Sequence, residues 1–185
     1  MKRAALATGL FLLLTAGTVP LSRANELYID AVKDYAQDNL RDWTNDPRIV
    51  DALKTGNAFH QYLTAEDIDA MDARWRIELR SQERPLIRAV VDNSLSAFLR
   101  EKQKEADGLV TEIIVMDAKG LSIAESEASS DYWQGDEPKW QKTYLTGTRD
   151  IFIDRAEKDE STQMLQVQAS MTVFDPETNQ PIGAI

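Results

Sequence analysis

In the first half of the chain apolar positions recur at helical spacing, and in the second half they run together or alternate as in strands. Val32, Tyr35 and Leu40, preceded by Tyr28 and followed by Trp43, make the apolar side of a first helix that Asn25 can cap. Asp46-Pro47 is a cap followed by proline at the first helical position; Ile49, Val50 and Leu53 follow, and Gly56 is expected to close this short second helix. Thr64 with Asp67 three residues on approximates a capping box, behind which Ile68, Met71, Trp75 and Leu79 lie on one stripe. Pro85 opens one further run, Leu86, Ile87, Val90, Val91, Leu95, Phe98 and Leu99, which fades into Arg100 to Lys104 and stops at Asp107-Gly108.

Beyond residue 109 the period changes. Residues 111–117 form a β-branched apolar run, Asp117 to Gly120 reads as a turn, and residues 121–126 return as the second strand of a hairpin. Being apolar on both faces, the first of these strands is expected to lie centrally in its sheet. A loop from Ser129 to Gly135 precedes a short helix over 137–145, on which Trp140 and Tyr144 share a face. Strands are expected over 151–158 and 164–174, and a turn at Asp175 to Gln180 leads to a last strand, Pro181 to Ile185, that is expected to be truncated. Helices (25–106) followed by antiparallel strands (109–185) is an α+β order, with no linker long enough to divide it into domains.

A length of 185 residues suits one domain plus an export segment. Met1-Lys2-Arg3 and the uncharged apolar run Ala4 to Leu21, with Ser22 and Ala24 around Arg23, read as a signal peptide cut after Ala24; an uncleaved anchor is the competing reading. The chain is therefore expected in the bacterial periplasm. Formal charge is −10, and losing residues 1–24 removes Lys2, Arg3 and Arg23 but no acid, so nucleic acid and anionic membranes are poor partners. No cysteine is present, which excludes disulfides, thiol catalysis and thiolate metal sites; the solitary His60 excludes a multi-histidine metal site.

The densest polar and aromatic cluster is the loop Asp131 to Glu137. Trp133, Trp140 and Tyr144 could wall a small-molecule pocket, with Tyr132 beside them and Asp131 accepting hydrogen bonds or pairing with an ammonium group. The plain alternative is that the tryptophans pack the short helix onto the sheet and Asp131 caps a turn. Gln166, Gln168, Ser170 and Thr172 share one face of the strand over 164–174; that face, with Asp154, could line a wet cavity, though solvent exposure is the commoner outcome. Arg80, Arg84 and Arg88 recur every four residues and could receive an anion, against the plainer reading of a solvated face balanced by Glu78 and Glu83. Clustered carboxylates at Asp131, Asp136 and Glu137, or at Asp154 to Glu160, lack the spacing of a calcium loop. His60 reads as a hydrogen-bonded linker residue, no serine sits in a nucleophile elbow, and neither cofactor nor catalysis is expected.

The order of elements, the hairpin TEIIVMDAKGLSIAESEAS from Thr111 to Ser129, the loop Asp131 to Glu137, Lys139, Trp140, Thr143, Tyr144, Asp159 to Thr162 and the ending DPETNQPIGAI resemble extracytoplasmic Cache (PDC, PAS-like) sensor domains. The more specific of these residues resemble a group of small, stand-alone, secreted single-Cache proteins. It implies a five-stranded antiparallel sheet with the long helix behind it, and a ligand cavity on the opposite face walled by the loop and helix after the second strand. The implied partner is a small polar ligand such as an amino acid, amine or carboxylate, presented to a membrane sensor. With neither a second membrane helix nor an output domain in the sequence, the chain is not expected to signal across a membrane by itself. The full amino-acid pattern of double-Cache receptors is absent, so no ligand identity carries over. The alternative is an interaction protein without a ligand, dimerising or docking through the first helix at Val32 and Tyr35.

Overall fold

A computed structural model describes residues 21–158 and 165–185. The expected leader and its cut lie outside the described residues except for positions 21–24, which are helical; the segment 159–164 also lies outside.

Helix α1 (Leu21–Thr44) runs without a break through Asn25, which is therefore not its cap. Its Ala36, Leu40 and Trp43 are buried. In α2 (Pro47–His60) the Asp46 carboxylate accepts the Arg48 N–H at 2.9 Å and Pro47 takes the first turn, as the sequence suggests. Gly56 does not close this helix. It lies where α2 crosses the sheet, and a Cβ there would stand 2.8 Å from Cγ2 of Ile123, so glycine is required for close approach and not for a turn.

Helix α3 (Ala65–Glu78) has the complete capping box: Thr64 Oγ1 accepts the Asp67 N–H and Asp67 accepts the Thr64 N–H. The single run expected after Pro85 is two helices, α4 (Pro85–Val91) and α5 (Ser94–Glu105). Asn93 divides them: its Oδ1 caps α5 at the Ser96 N–H, and its Nδ2 donates to the carbonyls of Val90 and Ile123. The arginine row is likewise broken, because Arg80 and Arg84 fall in the turn between α3 and α4. Glu78, expected on a solvated face, is buried and accepts the first N–H groups of α4, from Leu86 at 2.7 Å and Ile87 at 3.0 Å.

Strands β1 (Ile114–Asp117) and β2 (Ser122–Glu125) form the hairpin; β1 begins three residues later than expected and β2 is one residue shorter at each end. After α6 (Pro138–Gln141) and a 3-10 turn (Tyr144–Thr146) come β3 (Phe152–Ile153), β4 (Glu157–Lys158), β5 (Leu165–Gln166), β6 (Ala169–Ser170), β7 (Thr172–Phe174) and β8 (Pro181–Ala184). The main sheet is antiparallel in the order β2-β1-β8-β7, with β1 central as the sequence predicts. The fifth strand is present but not in one unbroken ladder. Met171 exchanges both backbone bonds with Ile185, whereas Ser170 before it pairs with Phe152, so the segment 169–174 has β8 on one side and β3 on the other.

The two faces of β1 serve different layers. Ile113 and Val115 face α1, α2 and α5 and join Leu53, Phe98, Leu99 and Val173 in the main core. Ile114 and Met116 face the other way, onto Trp140, Tyr144 and Ala184. A third cluster, Trp75, Ile87, Val90, Leu121 and Tyr132, joins α3 and α4 to the hairpin.

Candidate functional site

The hairpin turn is built around one buried carboxylate. Asp117 Oδ1 accepts the N–H groups of Lys119 and Leu121, and Gly120 takes φ +79°, the left-handed conformation the turn requires. Its Oδ2 lies 2.7 Å from Nδ1 of His60, which is buried in the last turn of α2 and is not a linker residue. Both groups are spent on each other and on the turn, which makes this pair a pin between α2 and the sheet.

The aromatic residues singled out in the sequence fall in separate places. Tyr132 is buried and stacks on Trp75 with ring centroids 5.5 Å apart; burial first, then the charges of Asp117 and Glu125, raise its phenol well above the ordinary value. Trp133 spends its indole N–H on the Lys119 carbonyl at 2.8 Å. The backbone N–H groups of Tyr132 and Trp133 both donate to Asp72 of α3, and Arg76, 2.8 Å from Asp72, reaches to 4.0 Å from Asp131. This loop is thus stapled to α3 by an aspartate that sequence reading did not single out. Trp140 donates to the Asp117 carbonyl at 2.9 Å and packs on Tyr144 at 5.2 Å, below the α6 side of the sheet. Asp154 and Gln168 meet on the β3 side, where the Asp154 N–H donates to the Gln168 carbonyl.

What the fold does open is a cavity of about 450 Å³ between α1 and the sheet. Val32, Tyr35 and Leu40 form its floor, residues 110–114 and 166–170 its two long walls, and Lys139 of α6 reaches it from the other side. Gln168 is the one residue of the sequence-predicted set that lines it, and Ser170 of the same strand face does too. Ser170 and Thr172 are buried and not solvent-exposed, whereas Gln168 is exposed. Tyr35, half-buried, has its phenol pushed up by burial and by Glu105. Val32 and Tyr35 therefore face inward, and the outward side of α1 presents Lys33, Asp34, Gln37 and Asp38. An apolar floor with a lysine, a glutamate, two glutamine amides and several hydroxyls on the lining is the composition of a small-molecule site, and the volume lies in the range of such pockets. Lys139 stands in the sequence only as part of the run that carries the resemblance, and its place at the cavity depends on how α6 packs.

No protein-family model matches the chain, and no curated protein matches it. Among solved structures, the ligand-binding domain of the Pseudomonas fluorescens chemoreceptor CtaA in complex with L-serine aligns with 89% of this chain and 58% of its own, at 12% identity and TM-score 0.38. The ligand-binding domain of Campylobacter jejuni chemoreceptor Tlp3 in complex with L-valine aligns with 91% of this chain and 62% of its own, at 13% identity and TM-score 0.41. That of Mlp24 with asparagine covers 86% and 57%, at 14% identity and TM-score 0.36. The chain spans less than two thirds of the length of each of these structures.

Proposed function

We propose that this protein is an extracytoplasmic, non-catalytic binding module that takes a small polar ligand and presents the bound form to a partner such as a membrane sensor. The observation that carries this reading is the cavity against α1, apolar on its floor and furnished with Lys139, Glu112, Gln168 and Ser170. The Cache-like hairpin and ending of the sequence support a binding role, as does the periplasmic address implied by the N-terminal residues, but the cavity lies against α1 and not on the opposite face, behind the loop 129–135, that the resemblance implies. Among the described residues no helix is long and apolar enough to cross a membrane. The ligand is held by enclosure of its apolar part over Val32 and Tyr35 and by an anionic or carbonyl group turned to Lys139.

A thermal-shift screen of the purified protein against amino acids, amines, short carboxylates and short peptides tests the reading. A ligand at a hundred times its dissociation constant adds about 2.7 kcal/mol, a shift of several degrees for a domain of this size. The shift is expected to vanish in a Lys139→Ala, Gln168→Ala double variant that melts at the wild-type temperature without ligand. A shift that survives in that variant places the site elsewhere.

A further inference from the structure

A second opening lies at the free edge of β7, where the end of α1 meets the segment that follows the 3-10 turn. Met171 exchanges both backbone bonds with Ile185 on the β8 side, so Thr172 turns its own backbone groups the other way. The ladder on that side stops at Ser170, which pairs with Phe152, and a pocket of about 90 Å³ opens beside Thr172. It shares no lining residue with the cavity against α1, and it is well short of the roughly 300 Å³ at which pockets for drug-sized ligands begin.

The walls of this pocket are cationic in an acidic chain. Arg41 enters from α1 and Arg149 from the segment before β3, and no aspartate or glutamate lines the pocket, although the chain has 31 acids to 21 basic residues. The Arg149 guanidinium lies over the Phe174 ring, 3.8 Å from its centroid, and donates to Asn179 Oδ1; both contacts fix its position and neither neutralises its charge. The Arg41 guanidinium meets no acceptor among the described residues. Thr44 and Asn45 donate side-chain bonds to the Arg41 carbonyl, at 2.9 and 2.7 Å, and so occupy a carbonyl at the negative end of α1 that would otherwise repel an anion.

The remaining donor is Thr172. It is 2% exposed, and its hydroxyl has no hydrogen-bond partner among the described residues. Folded proteins rarely leave a buried hydroxyl unpaired, and a guanidinium, having donors only, cannot accept from it. Two guanidiniums and one free O–H, brought together from three separate segments, call for an acceptor that carries about two negative charges.

We infer that this pocket binds a small divalent oxyanion, phosphate or sulfate. Its oxygens take forked bonds from Arg41 and Arg149 and a single bond from the Thr172 hydroxyl. Bound there, it ties the end of α1 to the free edge of β7. A monovalent carboxylate such as acetate would satisfy one guanidinium and leave the other unpaired. Both arginines are exposed and the chain carries a formal charge of −10, so the binding is weak and sensitive to salt.

The test is an NMR titration of the full protein with sodium phosphate and, separately, sodium sulfate, at low and constant ionic strength, read at the arginine Nε–H signals. One-site saturation is expected at Arg41 and Arg149, with affinity weaker by about tenfold or more in Arg149→Gln and in Thr172→Val. Thr172→Val is expected to melt no lower than wild type in chloride, since a methyl replaces an unpaired buried hydroxyl of the same shape. Phosphate and sulfate also stabilise proteins generally by exclusion from their surface, so saturation and its loss in the variants decide the matter, not a raised melting temperature. Shifts that grow without saturating, that match those in sodium chloride, or that persist unchanged in both variants overturn the inference. Equal binding by sodium acetate overturns it too.

Discussion

At the scale of single residues, two of the buried acids, Asp117 and Glu125, stand in different circumstances. Asp117 is met from three directions, by His60 and by the Lys119 and Leu121 N–H groups. His60→Ala leaves one of its oxygens buried without a partner, which is expected to cost about 1–3 kcal/mol in a chemical denaturation series. Glu125 is fully buried and accepts the N–H and hydroxyl of Ser129; burial is the main influence and raises its pKa against the opposing hydrogen bonds of Ser122 and Ser129. A carboxyl whose folded pKa is raised favours folding most below its unfolded value, and that contribution is lost as pH rises through the folded value. Glu125→Gln is therefore expected to be at least as stable as wild type at pH 7, with its advantage shrinking as pH falls toward 4. An advantage independent of pH would contradict the assignment. The same scale shows why tryptophans and tyrosines mislead a sequence reader. Trp133 and Trp140 look like ligand walls because they cluster with polar residues, yet the fold gives both indole N–H groups to backbone carbonyls, which no local pattern announces.

At the scale of elements, capping chemistry was readable and tertiary caps were not. Thr64 with Asp67 and Asp46 with Pro47 act within four residues of each other, so their spacing in the sequence is their geometry. Glu78 caps α4 from the preceding helix, eight residues before Leu86, and appears in the sequence only as one more surface acid. Its pKa is lowered: burial works to raise it, but the Ile87 and Leu86 N–H groups and Arg74 outweigh that. Its stabilisation is thus present above the unfolded value and lost as pH falls through the folded one. Glu78→Ala is expected to cost about 1–2 kcal/mol at pH 7 and little at pH 3, measured by denaturant midpoint. Gly56 was misread for a related reason: a glycine that closes a helix and one that lets a helix approach a sheet look alike in sequence. Gly56→Ala is expected to destabilise by about 1–3 kcal/mol, and a second change, Ile123→Ala, is expected to recover part of that loss by removing the colliding methyl.

At the scale of the whole molecule, the helices-then-strands order and the central place of β1 were legible because the hydrophobic period itself changes near residue 109. The cavity was not, since it is bounded by α1, by the start of β1, by the strand segment 166–170 and by α6, elements that no local pattern relates. Gln166, Gln168 and Ser170 reached it from the sequence, through the polar alternation of their strand. The inward turn of Val32 and Tyr35 also changes what a substitution there reports. Val32→Glu places a carboxylate on the apolar floor and is expected to weaken ligand binding at least tenfold, a loss of about 1.4 kcal/mol, while the oligomeric state by light scattering stays that of wild type. The measurement that reaches furthest is a backbone amide NMR titration of the protein with the strongest ligand from the screen. The cavity account predicts shift changes concentrated at residues 110–114 and 166–170 and at Lys139; changes concentrated instead at residues 129–135, around Trp133, would contradict it.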